Sequence, residues 1–288
     1  MAKKLIAIVL LAAGVLTAVF GVKAGNGASV NQEIIESAVY VPDGKVLPEN
    51  EGKIVLVNGT LAAELPFTDE QTGIALDSVV AYRRVEKARI EKAAEEDKKD
   101  TWTWDTVSNE AAYGGSKKLI APGAVLGEFM VSDALMQAVG TNEQRKTYSS
   151  AELSALGWND FKDDGIVYLY KGESMPYEDK EVTYTSGILG KKGYNYLDYL
   201  DTYRVRYDVI KEGADMKYTA IGLQKNGVLE EVKELDLTSM VSGHLNVDEM
   251  LEYADTSAAT AKITAFVIAA VLAALSILVF IRSSKKRS

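Results

Sequence analysis

Two uncharged apolar runs bracket this chain, LIAIVLLAAGVLTAVFGV at Leu5–Val22 and ITAFVIAAVLAALSILVFI at Ile263–Ile281, and they constrain its fold more than any other feature. In hydrocarbon every backbone N–H and C=O must pair within the segment, so such runs are stable there as helices. Both approach the roughly 20 residues that cross a core about 30 Å thick. The sequence therefore predicts single transmembrane helices within 1–22 and at 263–281, a domain between them at 23–262, and a basic tail at 282–288. Lys3 and Lys4 ahead of an apolar run also describe a secretory signal peptide, with small-residue cleavage character at Val22-Lys23-Ala24. An uncleaved anchor is preferred, because the run exceeds the ~7–15 residues of a signal core.

Basic residues flank the runs on their outer sides: Lys3 and Lys4 before the first, Arg282, Lys285, Lys286 and Arg287 after the second. By the positive-inside rule both termini are cytoplasmic and residues 23–262 extracytoplasmic, with the plasma membrane as the expected location. The chain holds 32 Lys+Arg against 41 Asp+Glu, and setting those six terminal basic residues aside leaves 26 against 41. So acidic a remainder has no electrostatic footprint for nucleic acid. Gly14, Thr17, Ala18 and Gly21 share one helical face, as do Ala261, Ala265, Ala269 and Ala273 on the other helix. Small-residue faces allow close approach, so the two helices are expected to pack as a pair or to drive homo-oligomerisation.

The domain between them reads as a β-rich α+β fold. Residues 23–30 (KAGNGASV) read as a linker, Gln32–Val41 as a short helix or strand, and Pro42-Asp43-Gly44 as a turn. Asn58-Gly59 and Asn226-Gly227 each lie in strand-like sequence and predict type I′ hairpins. Asn58-Gly59-Thr60 is also a glycosylation sequon, relevant only in a eukaryote. Further strands are expected at Val79–Glu91, Thr101–Val107, Ile166–Tyr170, Glu181–Ser186 and Tyr203–Ile210, the last alternating as a sheet with one wet face. Helical pieces are expected at Val131–Val139 after Ser132, and at Ala151–Leu156, with a Ser149/Glu152 capping box and a stop at Gly157. Asn246 with Glu249 predicts another cap, opening a helix that carries Met250 and Leu251. The charged stretch 91–100 reads as a solvated tip or short helix.

No reaction is legible. The chain has no cysteine and one histidine, so thiolate chemistry, disulfides and cysteine- or histidine-rich metal sites are excluded. His244 reads as a loop or helix-start residue bonded to nearby backbone, and no Gly-x-Ser-x-Gly elbow or phosphate loop accompanies it. Asp163-Asp164-Gly165 lacks the ligand ladder of a calcium loop and reads as a turn. Tyr194, Tyr196, Tyr199, Tyr203 and Tyr207, with Trp102 and Trp104, could line a ligand or partner surface; strand alternation favours Trp102/Trp104 and Tyr203/Tyr207 as one packed face. No catalytic, cofactor-binding or metal residue is nominated, and no cofactor is expected.

The stretch Glu49-Asn50-Glu51-Gly52-Lys53, an apolar strand, Asn58-Gly59, then Asp69, Gly73 and Val85 after Arg83-Arg84, resembles the LUMA family of transmembrane proteins. The second half follows the same order: Asp201-Thr202-Tyr203-Arg204-Val205-Arg206-Tyr207, Ile221-Gly222-Leu223-Gln224 with Gly227 and Leu229, and Ser242-Gly243 before Glu249-Met250. The resemblance covers about half of the central domain and leaves residues 110–200 unplaced. It implies a non-enzymatic scaffold of the envelope with protein partners and self-association; the alternative is a sensor or binding module for a small molecule or lipid. The family ends in several membrane helices, whereas one follows the domain here. The layout is also similar to the membrane-proximal domain of GIDE-type ubiquitin ligases, whose cysteine-rich RING has no counterpart in this chain. Gly52, Gly59, Gly222 and Gly227 suit turns or close strand approach, and Glu51 and Lys53 a solvated edge.

Overall fold

The computed structural model describes residues 2–91, 101–109, 112–171, 184–185, 192–193, 203–210, 216–235 and 237–284. In chain order, helix α1 (Ala2–Ser37) leads to strands β1 (Val39–Val41), β2 (Ile54–Ala62), β3 (Phe67–Thr68), β4 (Ala75–Leu76), β5 (Val80–Glu91), β6 (Thr101–Thr106), β7 (Lys117–Ile120), β8 (Val125–Leu126) and β9 (Phe129–Val131). Then come α2 (Asp133–Met136), β10 (Glu143–Gln144), α3 (Ser150–Leu156), β11 (Asn159–Asp163), β12 (Ile166–Tyr170), β13 (Tyr184–Thr185) and β14 (Lys192–Gly193). The chain continues through β15 (Tyr203–Val209), β16 (Lys217–Lys225), β17 (Val228–Glu230) and β18 (Met240–Ser242) into α4 (Val247–Ser284). This is the expected β-rich α+β class with a long apolar helix at its end.

Contacts divide the chain into two compact units, one of residues 1–61, 125–138 and 216–288, the other of 62–124 and 139–215. The first holds a sheet in the order β1-β2-β8-β9-β17-β16-β18, in which β2 also pairs with β16 and closes the path into a ring. Ile35 of α1 and Met250 and Ala254 of α4 are buried in one cluster with Leu56 and Ile221 of that sheet. The second unit holds the sheet β11-β12-β15-β5-β6, with β10 on β15 and β7 on β5. Its core gathers Ile74, Val85, Trp158, Leu169, Val205 and Tyr207. Strand β5 runs antiparallel to β15 from Lys87↔Tyr203 to Ala81↔Val209, so alternate residues face the core and the outer side, where Arg204 is nonetheless buried.

Several expectations are corrected. Residues 23–30 are not a linker: α1 continues through them without a break to Ser37. Asn58-Gly59 is no turn, since β2 runs straight through it. The Asn58 amide is held sideways, donating to the Tyr40 hydroxyl at 3.0 Å and accepting from Thr219 at 2.6 Å. Gly59 provides clearance, because a Cβ there would lie 2.8 Å from the Gly127 nitrogen. The sequon asparagine is thus buried in mid-strand. Asn226-Gly227 is the hairpin expected, with φ of 51° and 76° joining β16 to β17. Asp164-Gly165 likewise turns β11 into β12, with φ of 50° and 77°.

Among the helix starts, Asn246 and Glu249 form the reciprocal box, each side chain accepting from the other's backbone N–H. Ser149 makes no side-chain cap bond, and the Glu152 carboxylate instead accepts from Ala75 N–H at 3.0 Å and lies 3.6 Å from Arg145. The helix expected over Val131–Val139 shortens to α2, capped by Ser132, because Phe129–Val131 is strand. The charged stretch at 92–100 and Tyr194, Tyr196 and Tyr199 lie outside the described residues.

Candidate functional site

The terminal helices form the first candidate. Helix α4 is long and apolar enough to cross a membrane over Val247–Ile281; the described apolar part of α1, Ile8–Val19, is shorter. The two pack together at Gly14, where a Cβ would stand 3.2 Å from the Ala269 carbonyl oxygen and 3.4 Å from the Leu272 Cβ. Nearer the sheet, Ile35 shares a cluster with Met250 and Ala254. As the number rises along α1 it falls along α4, so the helices are antiparallel. That register brings Leu5–Val22 level with Ile263–Ile281. Gly14 of the one small-residue face therefore meets Ala269 and Ala273 of the other within one chain, while Ala261 is exposed. Large apolar side chains point away from the seam: Ile8, Val15 and Leu16 on α1, and Ile263, Val267 and Ile277 on α4, are each more than half exposed. In water such a surface is unfavourable, whereas hydrocarbon solvates it.

A second candidate lies in the other unit, where the residues of the family-like pattern converge. Arg83, Asp69, Thr72 and Tyr207 are all buried, Arg83 and Tyr207 completely. Arg83 Nη1 donates to Asp69 Oδ1 at 2.5 Å. Its Nε and Nη2 donate to the carbonyls of Gly115 and Gly114 at 3.0 and 2.9 Å. Those carbonyls are aimed by a left-handed run with φ of 46° at Tyr113, 67° at Gly114 and 66° at Gly115. A side chain at Gly114 would meet Arg83 Nη2 at 2.6 Å, so glycine is required there. On the far side of the carboxylate, Tyr207 Oη donates to Asp69 Oδ2 at 2.6 Å and Thr72 Oγ1 donates to it at 3.1 Å. Thr72 Oγ1 and Tyr207 Oη are themselves 2.5 Å apart. Trp158 closes the cluster by donating to the Thr72 carbonyl at 2.9 Å.

Chemically this constellation is a strut. Gln71 N–H also donates to Asp69 Oδ1, so both carboxylate oxygens are filled by the protein's own donors. A general base needs a lone pair within reach of substrate, and none is left here. Burial pushes the Tyr207 phenol well above its ordinary range, and the adjacent Asp69 carboxylate adds to that. It stays a neutral donor. Beside the strut lies an open cleft of about 480 Å³ lined by Glu64, Phe67, Glu70, Gln71, Lys117 and Leu119, among others. Among the described residues no group of three His, Asp or Glu side chains is placed to hold a metal.

His244 sits in an exposed loop with its Nε2 3.2 Å from the Gly59 carbonyl, as the backbone-bonded reading expected. The aromatic expectation is corrected. Tyr203 and Tyr207 point to the core side of their sheet. Trp104, paired with Ala88, stands on the opposite face, 4.3 Å from the Arg204 guanidinium. A single-residue slip in alternation decides the face, and the β5–β15 register sets it. Asp69, Arg83 and Tyr207 were each marked by the family-like pattern, but no local signal joins residues 14 and 138 positions apart. A buried arginine needs a carboxylate, and that demand is the only hint the sequence held. Comparison with models of protein families, with curated proteins and with solved structures gave no match.

Proposed function

We propose that this chain is a membrane-anchored, non-enzymatic scaffold of the cell envelope, LUMA-like in character, held by both terminal helices and displaying residues 23–262 outside the cytoplasm. The observation that carries this reading is the antiparallel α1–α4 pair, with glycine and alanine at the seam and large aliphatic side chains outward. Both apolar runs lie at one level, so one bilayer accommodates both; at 1.5 Å per residue each run spans about 27 Å. The seam also supports retention of the first helix, since cleavage after Ala24 would cut α1 between its contacts at Gly14 and at Ile35. Beyond the bilayer both helices enter the core of the first unit, which couples the membrane pair to the sheet without a hinge. The basic residues outside each run support a cytoplasmic placement of both ends.

Single cysteines test the arrangement cleanly in a chain that has none. A membrane-impermeant maleimide on intact cells should label Lys53→Cys, which is exposed, and should label Ser283→Cys only after permeabilisation. Labelling of Ser283→Cys from outside, or of neither site, would sink the topology.

A further inference from the structure

Four of the five arginines on strands β5 and β15 lie within the stretch where the two strands pair, and they are not treated alike. Arg83 faces the core and has all its nitrogens engaged, as described above. Arg204, on the outer face, donates to Glu86 at 2.6 Å and to Asp163 at 3.2 Å, and is sandwiched between the Trp104 and Tyr168 rings at 4.3 and 3.8 Å. Arg84 and Arg206 differ. They stand directly opposite each other in the β5–β15 register, on that same outer face. Like charges placed so, with Cβ atoms about 5 Å apart, repel. Among the described residues the carboxylate paired with them is Asp208, at 3.8 Å from Arg84 and 4.0 Å from Arg206, beyond hydrogen-bonding reach of both. The Nε of each is buried and has no hydrogen-bond partner.

Two guanidiniums carry ten N–H donors in rigid forks suited to oxyanions, and one carboxylate at long range leaves the trio at a net charge of +1. Such an arrangement costs stability when nothing fills it. Its surroundings extend the same character. Tyr82 lies beneath Arg84 at 5.6 Å and Tyr168 beneath Arg206 at 5.9 Å, which gives the forks apolar floors. The next strand, β7, sets Lys118 opposite Tyr82. Side chains of Arg84 and Arg206 remain 33% and 18% exposed, so a ligand can reach them.

We infer that Arg84 and Arg206 form a binding site for a small tetrahedral oxyanion of the phosphate class, bridging the two guanidiniums beside Asp208. A phosphate carries enough charge to neutralise the trio and enough oxygens to take donors from both forks at once, which the single distant carboxylate does not. The phosphate has two sources, a soluble phosphomonoester or a lipid headgroup.

The test is equilibrium dialysis of radiolabelled orthophosphate against the full chain in phosphatidylcholine nanodiscs, at constant ionic strength. We expect saturable binding near one equivalent, weakened about tenfold or more by Arg84→Gln and by Arg206→Gln. Arg89→Gln, which removes an exposed pair with Asp105, should leave binding unchanged. Asp208→Asn removes the competing carboxylate and should tighten binding about threefold. That variant decides the matter if an arginine variant fails to fold. Absence of saturable binding, indifference to both arginine substitutions, or weaker binding in Asp208→Asn overturns the site. Repeating the titration with phosphatidic acid in the nanodiscs assigns the source: competition with orthophosphate identifies the headgroup, and undiminished orthophosphate binding identifies a soluble phosphomonoester.

Discussion

Three oxygens meet at the centre of the second unit, Asp69 Oδ2, Thr72 Oγ1 and Tyr207 Oη, with two hydroxyl protons to share among the three contacts. Removing the phenol leaves the carboxylate short of a strong donor in a place water does not reach. Tyr207→Phe should therefore destabilise the protein by about 1.5–3 kcal/mol, the range for a hydrogen bond to a charged group. A pH dependence follows. Because the folded-state phenol is raised above the ordinary tyrosine value near 10, the folded chain keeps a proton that the unfolded chain has lost. Its contribution is intact below about pH 10 and declines as pH climbs toward the folded value. Urea midpoints between pH 8 and 11 should fall more steeply in wild type than in Tyr207→Phe; parallel curves would refute the assignment. Little of this was legible beforehand. Composition announces that arginines and acids exist, but which arginine is buried depends on register, and Arg83 and Arg84 have opposite fates one residue apart.

At the level of elements, the sequence read well along β5 and β15, where the core-facing positions alternate, along the apolar run of β12, and where a cap is local, as at Asn246. It misread segments whose conformation is imposed from both sides. Residues 23–30 hold two glycines, each costing a helix about 1 kcal/mol, yet α1 passes through them because it is fixed at Gly14 on one side and Ile35 on the other. Tertiary packing supplies what propensity lacks. Asn58-Gly59 misled for the complementary reason: the dipeptide permits a turn, while cross-strand bonds along β2 and β16 oppose it. The helix seam gives the sharpest check. The 3.4 Å between the built Gly14 Cβ and the Leu272 Cβ is close to the usual span of a disulfide. The double variant Gly14→Cys with Leu272→Cys should oxidise within one chain in membranes, changing gel mobility without forming a dimer. A purely intermolecular crosslink, or none, would mean that the small-residue faces serve another partner.

Across the whole molecule, the long apolar helix at residues 247–281 was readable from composition alone, whereas the order of the strands, a property of distant pairings, was not. Strands β2 and β16, more than 150 positions apart in sequence, close the first unit's ring, and the chain passes between units at 61–62, 124–125, 138–139 and 215–216. Besides the anchoring role proposed for them, the helices supply part of the first unit's core. Ile35, Met250 and Ala254 cover Leu56 and Ile221, and their loss would expose both aliphatic side chains of the sheet to water. Two fragments separate these roles. Residues 29–262, which drop the apolar runs but keep the helical segments that bear those three residues, should be soluble and melt cooperatively. Residues 39–246 lose the cover, and burying a Leu or Ile side chain contributes roughly 1.5–3 kcal/mol each. Against a net stability of about 5–15 kcal/mol, loss of several such contacts should leave that shorter fragment aggregated or binding a hydrophobic dye. Equal melting temperatures for the two would show that α1 and α4 are tethers only, and that the sheet folds without them.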